Sequence, residues 1–474
     1  MPASSSRPQN PLHERYASAE MAGLFASEHR YGLWRRLWIA LAEAQSELGL
    51  PITDEQLAAL RRAAPGLDLD RVAEIEAETR HDVVAHLRHF AEQAGDAGGI
   101  LHLGATSAFI TDNTDALLLR DACEVLEQRL AAVIAHLATF AEEHRAVPTL
   151  AYTHLQPAQL TTVGKRACLW LQDLWTDWRE ARRRREELMC RGVKGTTGTQ
   201  ASYLALFEGD HDKVRELDAR VAEKLGFTAS WPVTGQTYPR KQDSQVLDAL
   251  AGIAESCHKM GTDVRLLQGI GVLSEPFGKT QVGSSAMAYK RNPIRSERMC
   301  ALARRLMTDR LNGSLTAATQ WLERSLDDSA NRRLVVPDAF LTADAILVVA
   351  ANIASGLLVH HQATHTLVER ELPFMATENL LMAATKAGGD RQELHERIRV
   401  YSLEAHAAVE RGEPNPLVDQ LALDPDFPLD RQQAEAFLDP EVFAGRSARQ
   451  VEELLAELPD ELRRPPEETA DLRV

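Results

Sequence analysis

The sequence predicts an all-α protein of three helical domains, with an elongated central bundle of long helices. Two observations lead there. Four segments repeat apolar residues at steps of four and three, and alternating β patterns are scarce.

The seams are explicit. Leu119, Cys123, Leu126, Leu130, Val133, Leu137 and Phe140 form one; Val246, Leu250, Ile253, Cys257, Met260, Val264 and Leu267 form a second. Ala339, Ala343, Ile346, Ala350, Ile353 and Leu357 form a third, and Ala167, Leu171, Leu174, Trp178 and Ala181 a shorter fourth. Helices over about 112–144, 160–189 and 240–268 would each run roughly 45 Å at the α-helical rise. Helices of that length pack side by side.

The N-terminal part, 1–107, reads as a small helical domain: Thr53-Asp-Glu-Gln56 fits a capping box and Pro65-Gly66 ends that helix. The bundle is expected over 108–360. Beyond His360, breaks at Gly388-Gly389, Gly412 to Pro416 and Asp424 to Pro428 mark shorter helices, so 361–474 reads as a third domain. The tail after Arg463 is polar and Pro-containing and is expected to be disordered. No strand-turn-strand signal and no G-x-G-x-x-G turn occurs, which argues against a nucleotide-cofactor domain.

A formal net charge of −16 over 474 residues, with acids spread throughout, excludes nucleic acid and anionic membrane as expected partners. An anionic substrate then needs local Arg and Lys clusters. Cys123, Cys168, Cys190, Cys257 and Cys300 show no metal-finger spacing and read as packed thiols. The N-terminus lacks a signal-type apolar core, and the most apolar stretch, Ala345 to Val359, is short for a membrane span. A cytoplasmic protein is expected.

Chemistry is expected first in the long connection Gly269 to Pro293, which contains GSSAMAYKRNP ahead of a helix beginning at Ile294. Gly283 permits unusual backbone angles; Ser284 and Ser285 supply hydroxyls; Lys290 and Arg291 supply cations beside a helix N-terminus. Such a place stabilises an anion. On residues alone it is equally readable as a flexible basic loop, and His154 as a structural histidine.

The pattern Gly283-Ser284-Ser285-x-Met287-x-x-Lys290-x-Asn292-x-x-x-x-Glu297 resembles the long, specific signature of the fumarase/aspartase superfamily, with Ala288 where proline is usual. Tyr152-Thr153-His154-Leu155-Gln156-Pro157-Ala158-Gln159 resembles its T-H-L-Q segment. Gly104-Ala105-Thr106-Ser107, followed by Asp112-Asn113, matches a third block. Within the superfamily, the adenylosuccinate lyase family is favoured by Thr79-Arg80-His81-Asp82-Val83-Val84-Ala85-His86, by Tyr289-Lys290-Arg291-Asn292-Pro293 and by the run Glu323 to Arg333. The sister argininosuccinate lyase family, the alternative, usually carries glutamine and a second lysine where Tyr289 and Arg291 stand.

The resemblance implies cofactor-free elimination of fumarate from a substrate with two succinyl carboxylates and a phosphate. It implies Ser284 as general base, made acidic by Lys290, backbone amides and the helix end, and His154 as general acid to the departing nitrogen. Lys290 and Asn292 would stabilise charge pushed onto the adjacent carboxylate. His81 would orient or charge-balance the phosphate and His154, and Asp82 would contact ribose or hold His81. The anchors carried over are Arg15, Tyr16, Arg80, Thr106, Ser107, Thr153, Gln236, Arg298, Arg324, Ser329 and Arg333; arginine suits carboxylate and phosphate. Related enzymes join several subunits at each site, so a homotetramer with shared active sites is the expectation.

Other tempting features carry less. His81, His86 and His89, like His360, His361 and His365, lack the H-E-x-x-H arrangement, so no metal is expected. Arg182 to Arg185 near Trp170, Trp175 and Trp178 reads as a solvated helix face. Gly192 to Gly198 lacks the G-K-[ST] ending of a phosphate cradle.

Overall fold

The computed structural model describes residues 10–278 and 280–466. The chain is built almost wholly of helices. In order, the elements that matter for the site are α1 (Ser27–Glu47), α2 (Asp82–Ala94), α3 (Ser107–Glu143), a hairpin of β1 (Pro148–Thr153) and β2 (Gln156–Thr162), α4 (Val163–Glu187), α5 (Lys241–Gly269), α6 (Ile294–Asp309), α7 (Asp328–Ala354), α8 (His361–Met375) and α9 (Ser447–Glu457).

All four apolar seams are buried, which explains the bundle: a stripe at heptad spacing stabilises a helix only when another helix covers it. Helix α3 packs on α4 and α7, α4 on α5, and α5 and α7 both on α6. Where α3 and α4 meet, Gly164 is required, because a Cβ there would lie 2.3 Å from the Ala141 carbonyl oxygen. By length and composition α7 could cross a membrane, with mean hydropathy 2.0 over its best window, yet 78% of that window is buried inside the protein. It is the core helix.

Near the N-terminus the expected capping box is present: the Gln56 N–H donates to Thr53 Oγ1, and the Thr53 N–H to Gln56 Oε1. Towards the C-terminus a second apolar cluster runs from Ala376 to Ala434 through Leu380, Leu394, Leu417 and Leu421, separate from the bundle core. Helix α9 then returns to pack on α3 and α4, and Val451, Leu458 and Leu462 join the main core. The expected disorder of the tail falls mainly on 467–474, outside the described residues.

One expectation fails locally. The segment after α3 contains a strand-turn-strand unit, so α4 starts at Val163 rather than near 160. The pair Leu150↔Leu160 buries its side chains against Val368 and Leu372 of α8, a tertiary partner that local patterning does not reveal. The turn is His154-Leu155, both left-handed (φ 53° and 59°), where a two-residue hairpin usually places Asn or Gly. The all-helical class otherwise holds.

Candidate active site

The first group of expected residues converges on a cleft of about 1010 Å³ between the N-terminal ends of α2, α3 and α7. Arg80, His81, Asp82, Thr106, Ser107, Gln236, Arg324, Ser329 and Arg333 all line it. Helix starts cluster here, and their unpaired N–H groups favour anions.

His81 is the N-cap of α2: the Val84 N–H donates to its Nδ1 at 3.4 Å. With Nδ1 accepting, the proton is assigned to Nε2, which lies 3.4 Å from Ser107 Oγ at the head of α3. Asp82 accepts from the Val83 N–H (2.8 Å) and from Arg333 Nη2 (2.6 Å). Burial alone would push the Asp82 carboxyl up. The Arg333 bond, the Val83 N–H and the charge of Arg333 outweigh it and hold Asp82 below the usual carboxylate range. Arg80 closes the preceding helix in the left-handed region (φ 53°).

Beneath the cleft lies a buried ionic network that the sequence reading missed. Arg240 Nη1 and Nη2 donate to Asp112, Arg332 Nε to Asp243, and Arg332 Nη1 pairs with Asp115, which also receives Arg30. Tyr238 Oη donates to Asp243 (2.6 Å) and accepts from Arg332 (2.7 Å). Charges this deep persist only when paired and hydrogen-bonded. The usable signal was the pair Asp112 and Asp115, two acids in the opening turns of an otherwise apolar seam. The cleft is also walled by Tyr31 and Glu76.

The second group sits at the far end. Ser107 opens α3 and the hairpin follows near its other end, so the hairpin with Thr153 and His154 exposed at its tip springs from the opposite end of a helix about 55 Å long at 1.5 Å per residue. Arg166 of α4 donates to the Leu150 carbonyl at the irregularity in β1, tying the hairpin down.

The third group is the Ser284 loop with Arg15, Tyr16 and Arg298. The Arg298 guanidinium lies 5.8 Å from the Tyr16 ring centroid. Ser284 Oγ accepts from the Ala286 and Met287 N–H groups (3.3 and 3.1 Å), and Asn292 Nδ2 donates to the Gly283 carbonyl. Lys290 is exposed on the same loop. The structure differs from expectation at the helix end behind this loop. The N–H groups of Arg295 and Ser296 already donate to the buried Glu275 carboxylate, both at 2.9 Å, so the start of α6 is neutralised by Glu275 rather than offered to Ser284. The Ser284 hydroxyl is served by its own turn.

One chain therefore presents three separate clusters, with His154, Ser284 and His81 on different elements. Residues 17–308 match the family model described as Lyase, and 373–454 match the model described as Adenylosuccinate lyase C-terminus. The adenylosuccinate lyase of Saccharomyces cerevisiae is 50% identical over 450 residues, covering 94% of this chain and 93% of that protein. The chain belongs to the adenylosuccinate lyase family.

Other relatives agree: the adenylosuccinate lyases of Schizosaccharomyces pombe (49% identity, 93% and 92% covered) and Schistosoma mansoni (47%, 94% and 94%). The C-terminal match is specific to the adenylosuccinate lyase family and favours it over its argininosuccinate-cleaving sister. Solved structures share the fold: a fumarate lyase from Mesorhizobium sp. BNC1 (TM-score 0.80, 23% identity, 95% of this chain and 100% of that one) and a 3-carboxy-cis,cis-muconate lactonizing enzyme from Pseudomonas putida (0.82, 22%, 94% and 99%).

Proposed function

We propose that this family member eliminates fumarate from adenylosuccinate to leave AMP, and likewise from the succinyl-aminoimidazole carboxamide ribotide. The observation that carries the reading is the 50% identity to an adenylosuccinate lyase along 94% of the chain. The residues supply the chemistry. Ser284, as alkoxide, takes the proton from the succinyl carbon next to a carboxylate; those electrons form the new C=C bond as the C–N bond breaks. The nitrogen keeps its electron pair and receives a proton from His154. Lys290 and Asn292 stabilise charge on the carboxylate in the transition state, where it counts most. Arg80, Arg324 and Arg333, with Thr106, Ser107 and Ser329, hold the substrate's anionic and polar groups, Arg15, Tyr16 and Arg298 approach from the loop side, and Gln236 and Thr153 complete the contacts.

The active unit is a homotetramer, in the cytoplasm, whose sites draw on several subunits. Two observations support it. The cleft with His81 is held apart from the His154 hairpin and the Ser284 loop by helices about 45–55 Å long. The apolar side chains Val282, Met287 and Tyr289 on the Ser284 loop and Leu155 beside His154 stand exposed in the single chain, as surfaces awaiting cover do.

The test is an ultraviolet assay of adenylosuccinate cleavage with no added cofactor, together with Ser284→Ala and His154→Ala. Each variant is expected to lose at least about 10²-fold in turnover. Mixing and refolding the two inactive variants should restore part of the activity, because some sites then combine an intact His154 with an intact Ser284 from different chains. Turnover of argininosuccinate instead would select the sister activity, and near-normal activity of either variant would refute its role.

A further inference from the structure

Four carboxylates underlie the cleft, and three use both oxygens: Asp112 on Arg240 and the Tyr238 N–H, Asp115 on Arg30 and Arg332, Asp243 on Tyr238 and Arg332. Asp328 does not. Its side chain is 0% exposed, and its Oδ2 accepts from Arg240 Nε at 2.7 Å and from Arg324 Nη1 at 3.2 Å. Its Oδ1 is buried with no partner among the described residues. A buried carboxylate oxygen without a donor is costly, so its retention calls for a reason.

The two arginines it touches are unequal. Arg240 is 2% exposed and already spends Nη1 and Nη2 on Asp112, so it is fixed. Arg324 is 22% exposed, lines the cleft, and its Nε is also without a partner. The unfilled oxygen and the unfilled N–H belong to the same contact. A fork-to-carboxylate pair can hold two parallel bonds, and here one is made.

We propose that Asp328 is a positioning residue that aims the Arg324 guanidinium at an anionic group of the substrate, its second oxygen taking a second N–H of Arg324 when the cleft fills. Asp328 itself touches no substrate. It opens α7, the helix that also carries Ser329 and Arg333, so the seat of Arg324 and two further anchors ride on one rigid element. The inference rests on the proposed adenylosuccinate cleavage.

The test is a double-mutant cycle on the full-length protein. Asp328→Asn keeps shape and removes charge. Its KM for adenylosuccinate should rise about tenfold or more, the scale of one hydrogen bond between charged groups, while kcat changes far less. In an Arg324→Gln background the same change should add almost nothing. An equal KM penalty in both backgrounds, or a fall in kcat with KM unmoved, overturns the proposal. Should Asp328→Asn fail to assemble, Arg324→Ala answers the same question: millimolar guanidinium should restore kcat/KM saturably, and sodium at equal ionic strength should not. No difference between the two cations overturns it. Wild-type protein inert towards adenylosuccinate would instead sink the functional reading, a result separable from either variant's failure.

Discussion

The Glu275 carboxylate accepts the Ser296 N–H at 2.9 Å and the Ser296 hydroxyl at 2.7 Å, closing the first turn of α6 from outside the helix. The same carboxylate takes the Arg295 N–H, and Arg295 reaches back to the Pro276 carbonyl and to Gln281. The root of the Ser284 loop is thus stitched while its apex is exposed. Glu275→Ala should cost about 1–2 kcal/mol, the scale of a lost helix cap with a buried hydroxyl left bare, read as a lower melting temperature by circular dichroism. Turnover should fall as well, since the loop loses its anchor. An unchanged melt would refute the capping role.

At the apex, a Cβ on Gly283 would stand 2.1 Å from the Lys290 carbonyl oxygen, so the turn that carries Ser284 closes only with glycine there. Gly283→Ala is expected to lower kcat by about 10²-fold, because small displacements of a reacting group cost that much, while the melt stays within about 1 kcal/mol of the parent since the segment is exposed. Activity within a few-fold of wild type would show that the loop adopts another shape when it works.

The bundle was legible because its seams repeat along local sequence, and each predicted seam residue is buried. The hairpin was not: its turn uses His154 and Leu155 in the left-handed region, and its core pair finds partners only in α8. For the site, the family resemblance named Arg80, His81, Asp82, Thr106, Ser107, Gln236, Arg324, Ser329 and Arg333, which line the cleft. It did not name Arg30, Asp115, Arg240 or Arg332, whose pairing spans four separate helices or connections and has no local period. Nor did it show that Glu275 occupies the end of α6, since an acid outside a motif gives no sign of what it caps.

Two histidines set an acid limit on the fold. Burial pushes His86, packed 3.9 Å from the Tyr31 ring, and His102, which accepts from Trp38 Nε1, down to about 4. Their folded values lie below the unfolded value of 6.5, so the unfolded chain binds more protons as pH drops. The stability they permit is complete above 6.5 and lost as pH falls towards about 4. Melting temperature should therefore decline between roughly pH 6.5 and 5, before most carboxylates titrate, and His102→Asn should flatten that decline. A flat profile in the wild type would contradict the burial argument.

Asp82 and Arg333 separate activity from stability. Their bond is short, 2.6 Å, but the Arg333 side chain is 60% exposed, and exposed ion pairs contribute at most about 1 kcal/mol. Asp82 does more at the cleft: its Oδ1 lies 3.5 Å from His81 Nδ1 and accepts the Val83 N–H, so it sets the electrostatics of the histidine at the head of α2. At neutral pH the depressed carboxyl is ionised, and it neutralises part of the charge that Arg333 would otherwise present to an anion. Asp82→Asn should leave the melt within about 1 kcal/mol, yet lower kcat/KM by about tenfold or more through a misoriented His81. If His81 has the proposed role, the rate loss should not be recovered by raising substrate, because its orientation would then bear on kcat as well as on binding. A large drop in melting temperature with turnover intact would assign the pair to the scaffold instead, and His81 would then need another source of orientation, for which Ser107 is the neighbour at hand.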